Sequence, residues 1–373
     1  MKKIYLLLVL AITFANAQEL ALVRKDKLFG YIDKTGKFAI EPKFKKAKSF
    51  SDGLAIVEEN GKWGYIDKKG NWAIKPIYDD ANDFDSGHAI VTVKEGKEKK
   101  VFYINKKGVE EKAPATDKLF DFVDGIAMLK SGEKVGFMNA QLKTVVEPKY
   151  QMIKEFKGNY ARFKNNGLWG IVDKTGKVVV PADYADVGDY NKGTWVKKGE
   201  AYGVINNGKY TEVDGATKIW DWDESELTYA KKGDKIGFID HSGKWVIEPK
   251  FDKARAFHKG LAPVANEKKW GYVNPKGTFV IDTKYADAEV FSEDGFAPVK
   301  DKHWGFINAS GKLVIPTDYD INIGGGFNLF KQEKTGFDGG LVRVKKDKKW
   351  AFLKPDGSVL GNQWFENAEL FSN

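Results

Sequence analysis

Leu54-Ala55-Ile56-Val57-Glu58-Glu59-Asn60-Gly61-Lys62-Trp63-Gly64-Tyr65-Ile66-Asp67-Lys68-Lys69-Gly70 runs on into Asn71-Trp72-Ala73-Ile74-Lys75-Pro76-Ile77-Tyr78-Asp79-Asp80-Ala81-Asn82-Asp83-Phe84. The same succession recurs along the chain. The glycine after the aromatic marks its register at Gly30, Gly64, Gly136, Gly170, Gly203, Gly237, Gly271 and Gly305. Most intervals are 33 or 34 residues. The long gap between Gly64 and Gly136 holds a degenerate unit around Val101-Phe102-Tyr103-Ile104-Asn105, and a last unit carries Lys349-Trp350-Ala351-Phe352-Leu353. About ten units result. Periods of this size mark arrays whose units bury their apolar faces only against neighbours.

Each unit reads as three short strands. Leu54 to Glu58 and Lys62 to Ile66 are rich in branched and aromatic residues, and Trp72 to Lys75 ends at Pro76, which lacks a ladder donor. Between the second and third strands stands an Asp or Asn followed three residues later by Gly, a tight-turn signature. Asp33, Asp67, Asn105, Asp173, Asp240, Asn274 and Asn308 hold this place. Alternation puts Trp63 and Tyr65 on one face and Gly64 and Ile66 on the other. A glycine inside a strand implies a close neighbour, and an aromatic ring over Gly64 is the expectation. Ala55, Ala89, Ala127, Ala161, Ala230, Ala262 and Ala297 are expected to lie under bulky neighbours for a related reason.

These motifs resemble the WG-repeat family of bacterial proteins. Trp63-Gly64-Tyr65-Ile66-Asp67, Trp169-Gly170-Ile171-Val172-Asp173, Trp270-Gly271-Tyr272-Val273-Asn274 and Trp304-Gly305-Phe306-Ile307-Asn308 carry the likeness. Pro42-Lys43-Phe44, Pro76-Ile77-Tyr78, Pro148-Lys149-Tyr150 and Pro249-Lys250-Phe251 extend it. The resemblance implies a repeat architecture and no common activity. The fold class is therefore all-β, a tandem array of three-stranded meanders. The short unit and the high unit number favour an elongated, solenoid-like superhelix over the alternative, a closed propeller-like ring.

The first seventeen residues pair Lys2-Lys3 with an apolar run ending in Ala15-Asn16-Ala17, the pattern of a cleaved signal peptide. Residues 1–17 are read as that signal and 18–373 as the repeat region, with irregular loops near 109–118 and 321–336. Export to the periplasm, the cell surface or the medium is expected. The absence of cysteine leaves no lipid attachment site and no disulfides. No later segment has the length and apolarity of a membrane-spanning helix. The net charge of +9, or +7 without Lys2 and Lys3, is mild for this length. It permits anionic partners without demanding them, and nucleic acid is not an expected partner.

No catalytic motif appears, and no enzyme activity is expected. His88, His241, His258 and His303 lack metal-ligand spacing, so neither a metal site nor a cofactor is expected. Carboxylates that recur in every unit belong to turns. The sharpest feature outside the repeat is Ile219-Trp220-Asp221-Trp222-Asp223-Glu224-Ser225-Glu226. Alternation there would put Trp220 and Trp222 on one face as a ligand platform, or else bury them in the place of Phe84. Lysines crowd the turn between second and third strands, while acids such as Asp79, Asp83, Asp183, Asp189 and Asp287 follow the third strand. A regular stack would carry one basic and one acidic rim. The functional expectation is an exported, non-catalytic interaction scaffold for an unknown protein or anionic envelope polymer; the alternative is a glycan- or polymer-binding module using exposed tryptophans.

Overall fold

The computed structural model describes residues 18–321 and 335–373. The signal segment 1–17 lies outside them, as does most of the glycine-rich loop expected at 321–336. The described chain is all-β apart from one short 3-10 turn, Leu360–Asn362. Its strands form ten separate antiparallel sheets, eight of four strands, one of three and one of two. No sheet closes on itself as a barrel.

The sheets are numbered 1 to 10 along the chain by the strands that begin at Leu20, Leu54, His88, Ile126, Tyr160, Gly193, Leu227, Ala262, Phe296 and Val342, and sheet 2 shows the plan. Its strands are Ala47–Ser51, Leu54–Glu59, Lys62–Ile66 and Trp72–Tyr78, hydrogen-bonded in that order. The unit thus has four strands, not three. The additional one comes from the Asp-x-Ala segment after the preceding unit's third strand. In most sheets it is only two residues long, as at Asp80–Ala81 and Asp287–Ala288, too short to display an alternation.

Ten apolar clusters hold the sheets together, one at each joint between neighbours. Leu54 and Ile56 pack with Phe84, Ala89 and Val91 of sheet 3. Ala55 and Val57, pointing the other way, pack with Leu22 and Tyr31 of sheet 1. The tenth cluster joins the two ends: Leu341, Phe352, Leu360 and Phe365 meet Ala21, Val23 and Ile32. The C-terminal strand Asn367–Ser372 completes sheet 1 by pairing with Leu20–Lys25, in register Leu20↔Ser372 and Val23↔Ala368. Of the two arrangements open from the sequence, the array therefore takes the closed, propeller-like ring. Closure covers both the end face and the edge strand that an elongated array exposes.

The glycine and the proline of the repeat have one joint explanation. Trp63 pairs with Tyr78 and Tyr65 with Ile74, so Gly64 alone stands against Lys75, Pro76 and Ile77. The bulged backbone folds over the glycine. A Cβ on Gly64 would lie 2.7 Å from the Ile74 carbonyl oxygen and 2.7 Å from the Pro76 nitrogen. Pro76 is tolerated within the strand Trp72–Tyr78 because the bulge asks no ladder donor of it. The expected aromatic cover is thus replaced by main chain. A ring does come close in two sheets: Tyr210 lies 2.5 Å from the Cβ position of Gly203, which pairs regularly with Glu212, and Phe163 lies 2.9 Å from that of Gly170 beside the main chain. The repeated alanines are buried as expected, each in one cluster with the aromatic at the Phe84 position; Ala89 with Phe84 and Ala297 with Phe291 are examples.

The turn aspartates also do what their spacing implies. Asp67 Oδ1 accepts from the backbone N–H of Lys69 and of Asn71, both at 2.9 Å. Gly70 closes the turn at φ +80°. The expected separation of rims does not arise. Strands alternate in direction, so in the four-stranded sheet the first-to-second loop and the third-to-fourth turn, where the lysines stand, share one end of the ring. There Lys106 Nζ pairs with Asp52 at 2.6 Å, while Asp79 sits at the other end with Lys62 at 2.8 Å.

Candidate functional site

The repeat tryptophans are mortar between sheets. Trp270 and Trp304 are 7% and 3% exposed, and Trp63 and Trp169 are half-buried. Each ring carries a cation of its own chain: Lys46 at 5.7 Å over Trp63, Lys164 at 5.5 Å over Trp169, Arg255 at 4.4 Å over Trp270 and Lys300 at 5.6 Å over Trp304. Faces already covered in this way offer a sugar or a cationic ligand little.

Trp220 and Trp222 do not share a face. The strand Ala216–Ile219 ends before them, so its alternation does not extend to Trp222. Trp222 is buried in the joint between sheets 6 and 7, in the place of Phe84, and stacks on His241 with centroids 4.7 Å apart. Trp220 lies on the opposite side of sheet 7, stacked on Tyr229 at 4.6 Å beneath Lys218. Half-exposed, it borders a cavity of about 400 Å³ with Tyr229, Arg255 and Trp270. Between the rings, Asp221 turns inward and accepts from Trp195 Nε1 at 2.7 Å and from the Asp189 N–H at 2.9 Å. Burial, then the nearby Asp189 charge, pushes its carboxyl above the ordinary range.

A larger opening lies across sheets 3 to 5. Sheet 4 has only Ile126–Ser131, Lys134–Asn139 and Thr144–Tyr150. The segment that elsewhere supplies the first strand reads Asp117-Lys118-Leu119-Phe120, with Leu119 where sheet 3 has Ala81. In sheet 3 the Asn82 N–H reaches the Ile90 carbonyl at 2.9 Å; the equivalent Phe120 N–H turns to Tyr103 Oη at 3.3 Å instead. The displaced segment leaves a cleft of about 710 Å³. Met128, Ile90, Leu119 and Ile153 are among its apolar lining, and Asp83, Asp121 and Glu155 stand in its wall. Asn82 Nδ2 donates to both oxygens of Asp121 at 2.8 and 3.1 Å. Burial, then the charge of Asp83, raises the Asp121 carboxyl above its ordinary value; burial, then Asp124, does the same for Glu155. The sequence signal for this cleft was present in the irregular stretch 109–118.

The histidines have separate fates. His88 is structural, with Nδ1 at 2.6 Å from Glu111 and Nε2 at 2.8 Å from the Ala140 carbonyl. His241 is tucked under Trp222, and burial holds it below the ordinary histidine range. His303 is exposed near Asp320, at 3.6 Å. His258 meets Glu293 at 3.1 Å and Glu224 at 3.4 Å. Motif spacing hides that convergence because the three residues belong to three units. Aligning the units on one another would have revealed it.

The WG containing repeat is matched at residues 29–63, 63–97, 136–169, 169–210, 236–270, 270–302 and 304–321, together more than half of the chain. No curated protein matches it. Among solved structures, a crystal structure of the eukaryotic initiation factor is similar at 10% identity, covering 95% of this chain and 98% of that one, with a TM-score of 0.49. Apo AztD from Citrobacter koseri is similar at 13% identity over 79% of this chain and 93% of that one, TM-score 0.33. Hsv2 of Kluyveromyces lactis is similar at 12% identity over 62% and 87%, TM-score 0.32. Likenesses this distant carry no argument about function, and the ring rests on the chain's own strand pairing.

Proposed function

The chain belongs to the WG-containing repeat family, and from that premise we propose that it is an exported, non-catalytic interaction scaffold whose docking point is the cleft of sheets 3 to 5. The cleft carries the reading. It is larger than the cavity beside Trp220, and its apolar lining stands with three carboxylates and one lysine, Lys118, at a place where one repeat departs from the pattern. Crowded carboxylates repel one another and are poorly hydrated, a cost that an incoming cation relieves. A protein segment presenting a lysine or arginine beside apolar side chains fits this chemistry. Export is supported by Lys2-Lys3, the apolar run and Ala15-Asn16-Ala17. The second reading, a tryptophan platform for glycans, has less support, because the rings are buried or already covered by lysine and arginine.

Envelope extract passed over the immobilised mature chain tests the docking point. The triple variant Asp83→Asn, Asp121→Asn, Glu155→Gln should lose the protein captured by the parent while melting no lower. Equal capture by both would place the interaction elsewhere. Mass spectrometry of the exported protein should find Gln18 at the N-terminus; a dominant species retaining Met1 to Ala17 would remove the export reading.

A further inference from the structure

On the far side of the ring from the cleft's sheets, the loops joining first and second strands of sheets 7, 8 and 9 converge. Glu224, His258 and Glu293 stand 34 and 35 residues apart, one repeat period each, so equivalent turns of three successive units bring them together. His258 Nε2 lies 3.1 Å from Glu293 Oε1 and 3.4 Å from Glu224 Oε2. One donor atom from each of the three residues falls within 4.8 Å of the others.

Hydrogen bonding alone satisfies this arrangement badly. A neutral imidazole has at most one proton at Nε2 and serves one carboxylate, leaving the second facing a nitrogen and a like charge. Lys259 answers one oxygen of Glu293, but even a protonated ring has a single Nε2 proton to share between Glu293 Oε1 and Glu224 Oε2. A divalent cation between them answers all three donors at once. We propose that Glu224, His258 and Glu293 bind a divalent cation of the zinc class, held between three consecutive sheets.

The donor set suits that class. One imidazole nitrogen and two carboxylate oxygens are ligands typical of zinc, whereas calcium asks for six to eight oxygens. Bonds of about 2.0–2.2 Å in tetrahedral array set donors roughly 3.4 Å apart, close to the 3.1 and 3.4 Å from His258 Nε2 to the two carboxylates. The pieces are partly fixed beforehand. The His258 side chain is only 13% exposed. Lys259 Nζ pairs with Glu293 Oε2, which leaves Oε1 turned toward His258. Buried Nδ1 of His258 has no hydrogen-bond partner. A metal-bound histidine usually donates that N–H, and loss of such a bond costs about 10- to 100-fold in affinity, so binding of modest strength is expected. Both glutamates are exposed, which leaves the fourth position to water or to a donor from a partner.

Calorimetric titration of the tag-free mature chain with zinc chloride tests the site. The parent should bind one equivalent and melt at a higher temperature with zinc present. His258→Ala and Glu224→Gln should each weaken binding by roughly tenfold or more and shrink the thermal shift. Glu224 is exposed, so its variant stays folded and reports on the site even where His258→Ala melts low. His303→Ala should bind as the parent does. Calcium chloride should give a smaller response than zinc. Absence of zinc binding up to about 1 mM, a Kd equivalent to only about 4 kcal/mol, would overturn the proposal. So would binding unchanged in both site variants, or a stronger response to calcium.

Discussion

Tyr65 and Phe84 meet edge to face across the joint between sheets 2 and 3, their centroids 4.7 Å apart at 66°, and Tyr65 Oη donates to the carbonyl of Asn82 at 2.8 Å. One side chain thereby makes both the apolar and the polar half of the joint. Tyr31 with Phe50 repeats the geometry at 4.8 Å and donates to the Lys48 carbonyl; Tyr272 with Phe291 does so at 5.0 Å and donates to Glu289. Both Tyr65 and Phe84 are almost fully buried. Phe84→Ala should therefore cost about 3–5 kcal/mol. Tyr65→Phe, which keeps the ring and removes only the hydroxyl, should cost about 1 kcal/mol. Denaturant melts rank the two; a Tyr65→Phe loss as large as that of Phe84→Ala would show the hydrogen bond, not the ring pair, to be the main tie.

Gly64→Val sets a Cβ against fixed main chain, where neither the Ile74 carbonyl nor Pro76 yields as a side chain does. A loss of a few kcal/mol is expected. His303→Ala, at an exposed site, should change stability by less than about 0.5 kcal/mol. His88→Ala removes a buried ring held at both nitrogens and should fall between these, at about 1–3 kcal/mol. The order of melting midpoints checks all three.

Acidity should act on Asp67 and Asp221 in opposite senses. Burial tends to raise Asp67, but backbone donors from Asn71 and Lys69 outweigh it and hold the carboxyl below its ordinary 3.8. Its contribution is present above that value and is lost as pH falls through the lower, folded one. Asp221 is raised, so its ionised form is the disfavoured one in the fold. The stability linked to its protonated form is present below 3.8 and is lost as pH rises through the elevated range. Asp67→Asn should accordingly melt below the parent at about pH 7, with the gap closing in acid. Asp221→Asn, which can still accept from Trp195, should compare best with the parent at about pH 7 and lose ground near pH 4. Parallel pH trends for both variants would contradict the assignment.

What was legible in the sequence was whatever repeats locally. Asp67 and Gly70 announce their turn, Ala55 its crowded position, and the Trp-Gly pair its strand, because each depends on neighbours within a few residues. The bulge over Gly64 was hidden because three residues of one strand oppose one of the next, a count that alternation does not register. The strand Asp80–Ala81 was too short to show a period. Closure depends on Leu20–Lys25 meeting Asn367–Ser372, a contact between chain ends that the repeat unit does not encode. Trp220 and Trp222 misled because a period of two was assumed past the end of a strand. The meeting of His258 with Glu224 and Glu293 shows only when units are compared at equal phase.

Closure itself is open to test at Ala368. This residue is 1% exposed, pairs with Val23 and lies in the cluster that joins sheet 10 to sheet 1. Ala368→Asp would bury an unpaired carboxylate among Val23, Phe352 and Phe365, at a cost of several kcal/mol. Deleting residues 367–373 removes the same strand outright and bares the edge Leu20–Lys25, a template for pairing with a second chain. In an open array either change would fray one terminal unit and leave the others to melt as before, since each unit of such an array touches only its neighbours. In a ring the terminal strand belongs to the first sheet, so both ends lose their cover together. Both variants should therefore melt well below the parent across the whole chain, and the deletion should self-associate on size-exclusion chromatography. A parent-like main transition with only a small early loss of signal would mean that the ends are not joined in solution.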